Sequence, residues 1–187
     1  MVLPKDELGS NARKLERDED SGPTDNAAAA DDTIDPKDTA RDLRRAGRIQ
    51  GYDLYYSDFD VFVNDKDGLG VVGTSVELFR DARSARRYMT KQVDAYDDAI
   101  GTKEDEILLR RVRHFAVRDL GEQQAGVELE LEYEKEAARF WIVAFRIDRV
   151  VATAGVFRTD RVSAREYAQE IARALRARIE RVAAKAS

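Results

Sequence analysis

A strictly alternating segment near the middle of the chain constrains the fold most. Four apolar residues alternate with four glutamates: Val127, Leu129, Leu131 and Tyr133 with Glu128, Glu130, Glu132 and Glu134. Because successive strand side chains point to opposite faces, the apolar side chains share one face and the carboxylates share the other. The pattern predicts an antiparallel strand with one face in the core and one in water.

The apolar segments that follow predict a hairpin. Residues 140–147 are apolar at both alternating positions, which indicates a central strand covered on both faces. Only Asp148 and Arg149 separate this segment from residues 150–157, so the second strand must return antiparallel. Three more strands are predicted at residues 52–56, 72–78 and 112–117, with turn formers at Asn64–Gly68 between the first two.

Capping signals and helical periodicity predict three helices. Asp35-Pro36 provides an N-cap and a first-turn proline for a helix over Pro36–Ala46 that Gly47 ends. Asp81 caps a second helix that ends at Gly101, and a capping box at Ser163 and Glu166 begins the third. The predicted fold is therefore α+β, an antiparallel sheet of about six strands packed by three helices in the order α-β-β-α-β-β-β-β-α.

Composition divides the chain near residue 34. Residues 1–40 hold 11 acidic and 5 basic side chains, whereas the remainder holds 26 acidic and 27 basic ones. Residues 1–34 also contain few large apolar side chains. We therefore expect an acidic mobile arm over residues 1–34 and a single α+β domain over residues 35–187.

Composition also argues against several functional classes. The nearly neutral remainder of the chain lacks the basic excess that drives nucleic-acid binding. No apolar run reaches the roughly 18 residues of a membrane-spanning helix, so no transmembrane segment is predicted. Because the chain has no cysteine, it has no disulfide, thiolate zinc site or cysteine nucleophile.

Two motif matches are explained by turns. Gly68, Gly70 and Gly73 fit G-x-G-x-x-G, but that motif requires a following helix and here a strand follows. Asp65 and Asp67 fit part of an EF-hand spacing, although the twelfth position is threonine rather than glutamate. We interpret both matches as parts of a hairpin turn and predict no cofactor.

The candidates for catalysis are equally weak. His114 is the only histidine, so a histidine-rich metal site is excluded and a catalytic triad would depend on this residue alone. Same-face glutamates on a strand lie roughly 6.5–7 Å apart, close to the carboxylate separation of inverting glycosidases. Any exposed glutamate strand has this spacing, so we favour a solvated face and assign no catalytic and no metal-binding residue.

Two further groups of side chains could contact a ligand or partner. An apolar pocket could be lined by Tyr52, Tyr56, Tyr133 and Trp141, although core packing explains these residues equally simply. An acidic partner could be contacted by arginines 83, 86, 87, 110, 111 and 113, although a mixed surface also explains them. The ligand-binding residues stay unknown.

Four short segments occur in an order found in a group of bacterial domains. They are Ala46–Tyr52, Val76–Phe79, Asp119–Glu122 and Phe145–Ala152. In these segments the chain resembles secreted or lipid-anchored domains of Gram-positive bacteria, which include mycobacterial-type lipoproteins and extracellular sensor domains of serine/threonine kinases, with PsbP-like sandwiches as a further relative. Those domains often carry cysteines and a Gly-Asn or Gly-Asp hairpin turn. This chain has no cysteine and its turn is Asp148-Arg149, so no disulfide or lipid-anchor cysteine transfers to it.

The resemblance implies a location outside the cytoplasm, with an export leader removed and the acidic arm as a spacer from the envelope. It also implies a non-catalytic, extracytoplasmic binding or sensor-like domain for an unknown small molecule or protein. Two alternatives stay open. One is a carboxylate-dependent, metal-assisted hydrolase that uses Glu128–Glu134 or Asp58–Asp67; the other is a cytoplasmic domain that dimerises through an exposed sheet.

Overall fold

An antiparallel sheet forms the centre of the computed structural model, which describes residues 1–31, 39–58, 68–104, 107–133, 136–160 and 162–186. The strands in these residues are β1 (Glu16–Arg17), β2 (Gly22–Thr24), β3 (Arg48–Ser57), β4 (Leu69–Phe79), β5 (Lys103–Glu104), β6 (Ile107–Phe115), β7 (Gln123–Tyr133), β8 (Glu136–Ile147) and β9 (Val150–Arg158). The α-helices are α1 (Ala28–Asp31), α2 (Ala40–Ala46), α3 (Ala82–Asp98) and α4 (Arg165–Ala186), and two short 3-10 helices, Lys5–Leu8 and Ser10–Ala12, precede β1.

The strands lie in the order β1-β3-β4-β9-β8-β7-β6-β5, and β2 also pairs with β3. All of these pairs are antiparallel, which confirms the predicted α+β class. The β8–β9 hairpin is as predicted, with Ile147 opposite Val150 across the turn at Asp148 and Arg149. Asp148 has φ of 48°, a left-handed conformation that aspartate adopts more readily than most residues.

Helices cover both faces of the sheet, and β8 contributes to both cores. Trp141, Val143 and Phe145 are wholly buried on the face covered by α4, which we call the α4 face. The alternate residues, such as Phe140 and Ile142, lie on the opposite side, the α3 face, among side chains of α3. This arrangement confirms the prediction of a central strand that is apolar on both sides.

The helix α3 begins at its predicted cap, and the apolar side of α4 packs largely as predicted. The side chain of Asp81 caps α3 by accepting a hydrogen bond from Ser84 N at 2.6 Å. On α4, Ile171, Leu175 and Ile179 are buried against the sheet, whereas Val182 is 41% exposed and lies beyond the core. The predicted apolar stripe of α4 therefore ends one turn early.

The first predicted helix is shorter in the described residues. Thr39 is its N-cap and accepts a hydrogen bond from Asp42 N at 3.3 Å, so α2 begins at Ala40. Gly47 ends it with φ of 94°, as predicted. The proposed cap at Asp35-Pro36 lies outside the described residues.

The interpretation of residues 1–34 as a mobile arm does not hold for residues 1–31. Leu3, Leu8 and Leu15 are 0%, 3% and 1% exposed and belong to the same core cluster as Trp141. The Tyr167 hydroxyl of α4 donates a hydrogen bond to Leu8 O at 2.9 Å. A few well-spaced leucines suffice to dock this segment because the sheet and α4 supply the rest of the core. The predicted domain boundary at residues 34 and 35 lies outside the described residues.

The glutamate strand is also less exposed than its pattern predicts. Val127 and Leu129 are buried on the α3 face, as expected, but Glu128 on the opposite face is only 5% exposed. The Glu128 carboxylate contacts Arg113 at 3.4 Å and Arg165, the first residue of α4, at 3.3 Å. The carboxylate is therefore buried between two guanidinium groups, because α4 begins directly over this strand.

Candidate ligand cavity on the α3 face

A cavity of about 340 Å³ lies between α3 and the strands beside it. Its helical wall consists of side chains from one side of α3, and its floor consists of side chains from β3, β4, β9 and β8. The wall residues are Tyr88, Met89, Gln92, Val93 and Tyr96; the main floor residues are Asp53, Tyr55, Gly73, Ser75, Glu77, Phe140, Ile142, Ala144, Val151, Thr153 and Gly155.

Strand register orders the floor from polar to apolar. Asp53, Ser75 and Thr153 pair in one row across β3, β4 and β9. The next row on the same face is formed by Tyr55, Gly73 and Gly155, followed by Ile142 on β8. The hydroxyl and carboxylate groups therefore lie beside a row that has aromatic, glycine and aliphatic character.

Two glycines directly opposite each other make room for two aromatic rings in the floor. A Cβ atom on Gly73 would lie 2.5 Å from Cδ1 of Tyr55, and one on Gly155 would lie 2.7 Å from Cε2 of Phe140. The two rings thus lean from β3 and β8 onto the paired glycines of β4 and β9. A glycine in a strand interior commonly marks a close approach of other groups, and here it lets two rings border the cavity floor.

A buried ion pair forms the polar end of the cavity. Arg48 is 3% exposed, and its Nε donates to Glu77 Oε1 at 2.7 Å. The same guanidinium donates to Asp25 O at 2.9 Å and to Thr24 Oγ1 at 2.9 Å. These contacts tie the N-terminal segment to the cavity.

Two tyrosines of α3 line the cavity together with this ion pair, and burial shifts the pKa of the Glu77 carboxyl. Tyr88 donates a hydrogen bond to Glu77 Oε1 at 3.1 Å. Burial raises the pKa of the Glu77 carboxyl, although the charge of Arg48 opposes that shift. Burial also raises the pKa of Tyr96, so its phenol stays protonated at neutral pH.

One amide donor in the wall is unsatisfied by the described residues. Nε2 of Gln92 is buried and forms no hydrogen bond within that part of the chain. A buried amide without a partner costs about 1–3 kcal/mol. An acceptor on a bound molecule would satisfy it.

The aromatic residues predicted to line a pocket lie elsewhere. Trp141 and Tyr56 are buried on the α4 face, and Tyr52 packs against the same cluster. The core interpretation of these three residues is therefore confirmed, and the Tyr133 side chain lies outside the described residues. The rings that do line the cavity belong to Tyr55, Tyr88, Tyr96 and Phe140. Glycines inside predicted strands were the sequence signal for this cavity, since they mark close approach.

The structure does not bring the predicted arginine group together. Arg110 and Arg113 pair with Glu132 and Glu128 on the α4 face, whereas Arg83, Arg86 and Arg87 belong to α3. The described glutamates of the alternating strand are likewise held by arginines, with Glu130 at 3.6 Å from Arg113.

The remaining candidates form no reactive group. His114 is half exposed on β6, and its Nε2 lies 2.9 Å from Asp97 Oδ2 at the end of α3. Within the described ranges, no three His, Asp or Glu side chains are grouped so as to hold a metal ion. Gly70 and Gly73 lie in β4, so a strand follows the glycine motif as predicted; Asp65 and Asp67 lie outside the described residues.

No helix in the described part of the chain is both long and apolar enough to cross a membrane.

No family model matches the sequence, and no curated protein is significantly similar to it. Among solved structures, the chain is similar to the extracellular domain of PknH from Mycobacterium tuberculosis. The two share 12% sequence identity with a TM-score of 0.63 over 96% of this chain and 93% of that domain. At this identity the similarity establishes a shared fold.

Proposed function

We propose that this chain is a non-catalytic, extracytoplasmic binding or sensor-like domain whose ligand occupies the cavity on the α3 face. The observation that carries the proposal is the cavity floor, where paired glycines and two leaning rings leave volume next to apolar side chains. Ligand sites are typically apolar clefts with a few placed polar groups. The fold shared with the extracellular domain of PknH supports the proposed location.

The distribution of polarity defines the kind of molecule that fits. Gly73, Gly155 and Ile142 offer an apolar surface, whereas Ser75 and Thr153 offer hydroxyls one row away. Gln92 adds an amide donor from the helix. A small molecule with an apolar end and a hydrogen-bonding end matches this order.

The chemistry of the described carboxylates supports a binding role over the hydrolase alternative. Glu77 is paired with Arg48, and Glu128 is paired with two arginines. Both carboxylates accept hydrogen bonds from guanidinium groups, as carboxylates in structural ion pairs do.

A cavity-filling variant tests the proposal. The neutral fluorescent probe N-phenyl-1-naphthylamine should bind the native protein with increased emission, and Ser75→Trp should abolish the increase because the indole fills the floor. Ser163→Trp, at an exposed position before α4, adds the same side chain outside the cavity and should leave probe binding unchanged. Equal probe binding by native protein and Ser75→Trp, or no binding at all, would contradict the proposed site.

A further inference from the structure

A concentration of exposed arginines lies on two helices next to the cavity and takes no part in it. It comprises Arg41, Arg44 and Arg45 of α2 together with Arg80, Arg83, Arg86 and Arg87 at the start of α3, and we call it the arginine surface. The same two stretches contain only two carboxylates, Asp42 and Asp81. The formal net charge of the whole chain is -5. Since these two stretches are basic, the rest of the chain carries a larger acidic excess.

The two helices form one packed unit. Leu43 of α2 shares a buried cluster with Ala85 and Tyr88 of α3. Arg80 N donates a hydrogen bond to Gly47 O at 2.9 Å, which joins the end of α2 to the start of α3. The arginines are therefore carried on a fixed support, not on independent segments.

The two carboxylates within these stretches are used locally. Asp81 caps α3 and contacts Arg80 at 3.2 Å, while Asp42 accepts a hydrogen bond from Thr39 Oγ1 at 2.5 Å and lies 3.7 Å from Arg45. The other arginines of α2, and Arg83 and Arg86 of α3, form no direct ion pair with the residues that the structure describes, although the charges of Arg41 and Arg44 act on Asp42 and Asp25.

The stability of α3 does not explain this arrangement. The first turn of α3 contains no acidic residue, and three arginines lie within its first two turns. The positive end of the helix dipole disfavours cations there and favours carboxylates. Residues placed against local stability are expected where they serve a function, so an anionic partner accounts for them better than folding does.

We propose that the arginine surface docks on the anionic headgroups of a phospholipid bilayer. Arginine binds phosphate with two parallel hydrogen bonds, and clusters of four to eight basic residues bind anionic membranes. Ile49, the second residue of β3, is 49% exposed and adds an aliphatic side chain of the kind that enters the headgroup boundary. The surface offers no exposed aromatic ring to stack a base, since Tyr88 is buried.

Vesicle binding by the full chain tests this docking. Vesicles of phosphatidylcholine with phosphatidylglycerol should bind the protein at low ionic strength, and vesicles of phosphatidylcholine alone should not. The triple variant Arg44→Glu, Arg83→Glu and Arg86→Glu should bind roughly 100-fold more weakly, because each basic residue near an anionic surface contributes about fivefold. Glutamate also suits the helix start at the two α3 positions, so the variant should fold, which circular dichroism can check.

A matched control separates this surface from general charge effects. Arg118→Glu, Arg173→Glu and Lys185→Glu make the same change of charge at exposed positions away from α2 and α3, and this variant should retain most of the binding. Three results would overturn the proposal. The first is that the protein does not bind anionic vesicles, and the second is that both triple variants lose vesicle binding equally. The third is that the protein binds duplex DNA as strongly as the vesicles and that the arginine-surface variant loses this DNA binding as well.

Discussion

The α4 face of the sheet is covered by several parts of the chain, whereas the α3 face is covered mainly by one helix and keeps a cavity. On the α4 face, the 22 residues of α4 and the buried leucines of residues 1–15 close over Trp141. On the α3 face, the 17 residues of α3 leave the paired glycines Gly73 and Gly155 beneath a space of about 340 Å³. Unfilled volume deprives its lining of dispersion contacts. The comparison indicates that the closed face supplies stability and lets the other face keep a cavity.

The largest expected effect separates the two faces directly. Leu15→Ala should lower the free energy of unfolding by about 2–5 kcal/mol, because Leu15 is 1% exposed in the α4-face core. Val93→Ala, on the cavity wall, should cost less than about 1.5 kcal/mol because fewer atoms surround it. Urea unfolding of both variants measures the difference. A Leu15→Ala variant as stable as the native protein would instead support the interpretation of this segment as a mobile arm.

A smaller effect is expected at the polar end of the α3 face. A Cβ atom on Gly51 would lie 2.3 Å from an Arg48 guanidinium nitrogen and 2.7 Å from Thr24 Oγ1. Gly51→Ala should therefore cost about 1–3 kcal/mol, since Arg48 is fixed by Glu77 and cannot move freely. Gly22→Ala meets no atom within 4 Å and is the matched control, expected within about 0.5 kcal/mol of native. Thermal unfolding of the Gly51→Ala and Gly22→Ala variants measures the difference. Equal melting temperatures would indicate that the Arg48 side chain can move aside.

A third comparison sharpens the difference between buried and exposed parts of the α4 face. Glu128→Gln should cost about 1–2 kcal/mol because it removes the charge that Arg113 and Arg165 share. Glu132→Gln, whose partner Arg110 is half exposed, should change stability by no more than about 0.5 kcal/mol. Chemical denaturation of the two single variants measures both values. Equal losses of stability in the two variants would indicate that Glu128 is solvated like Glu132.

The smallest effect concerns the junction between β9 and α4. A hydrogen bond from Arg158 Nε at 2.7 Å holds the pKa of Asp160 below its usual range. A carboxyl with a lowered native pKa contributes stability above its unfolded pKa of about 3.9, and that stability is lost as the pH falls towards the lowered value. Asp160→Asn should therefore cost about 1 kcal/mol at neutral pH and little at acidic pH. Stability measured across this range should converge for variant and native protein; parallel curves would exclude the pair as the cause.

Local patterns in the sequence were enough for the sheet, because alternation, turns and caps are short-range signals. The two-residue turn at Asp148 required antiparallel β8 and β9, and Asp81 marked the start of α3 in the same way. The docking of residues 1–31 was not predictable from their composition, since the partners of Leu3 and Leu8 lie more than 70 residues away. Periodicity likewise assigned Glu128 to a face but could not reveal that α4 begins over it.

The cavity was predicted least well. Alternation identified Tyr52 and Tyr56 as a pair, but the ring that reaches the cavity belongs to Tyr55 between them. Its position depends on Gly73 of the next strand, and the opposing ring of Phe140 depends on Gly155. Contacts between strands that are distant in sequence decide which ring borders the floor, and a single sequence carries little information about them.

The contact between Leu8 and Tyr167 also constrains the order in which the chain can fold. These residues are 159 positions apart, and Glu7 contacts Arg178 over 171 positions. During synthesis residues 1–15 leave the ribosome before α4 is made, so their docking surface stays incomplete until α4 has been synthesised. Leu3, Leu8 and Leu15 therefore cannot complete their docking until α4 has been synthesised.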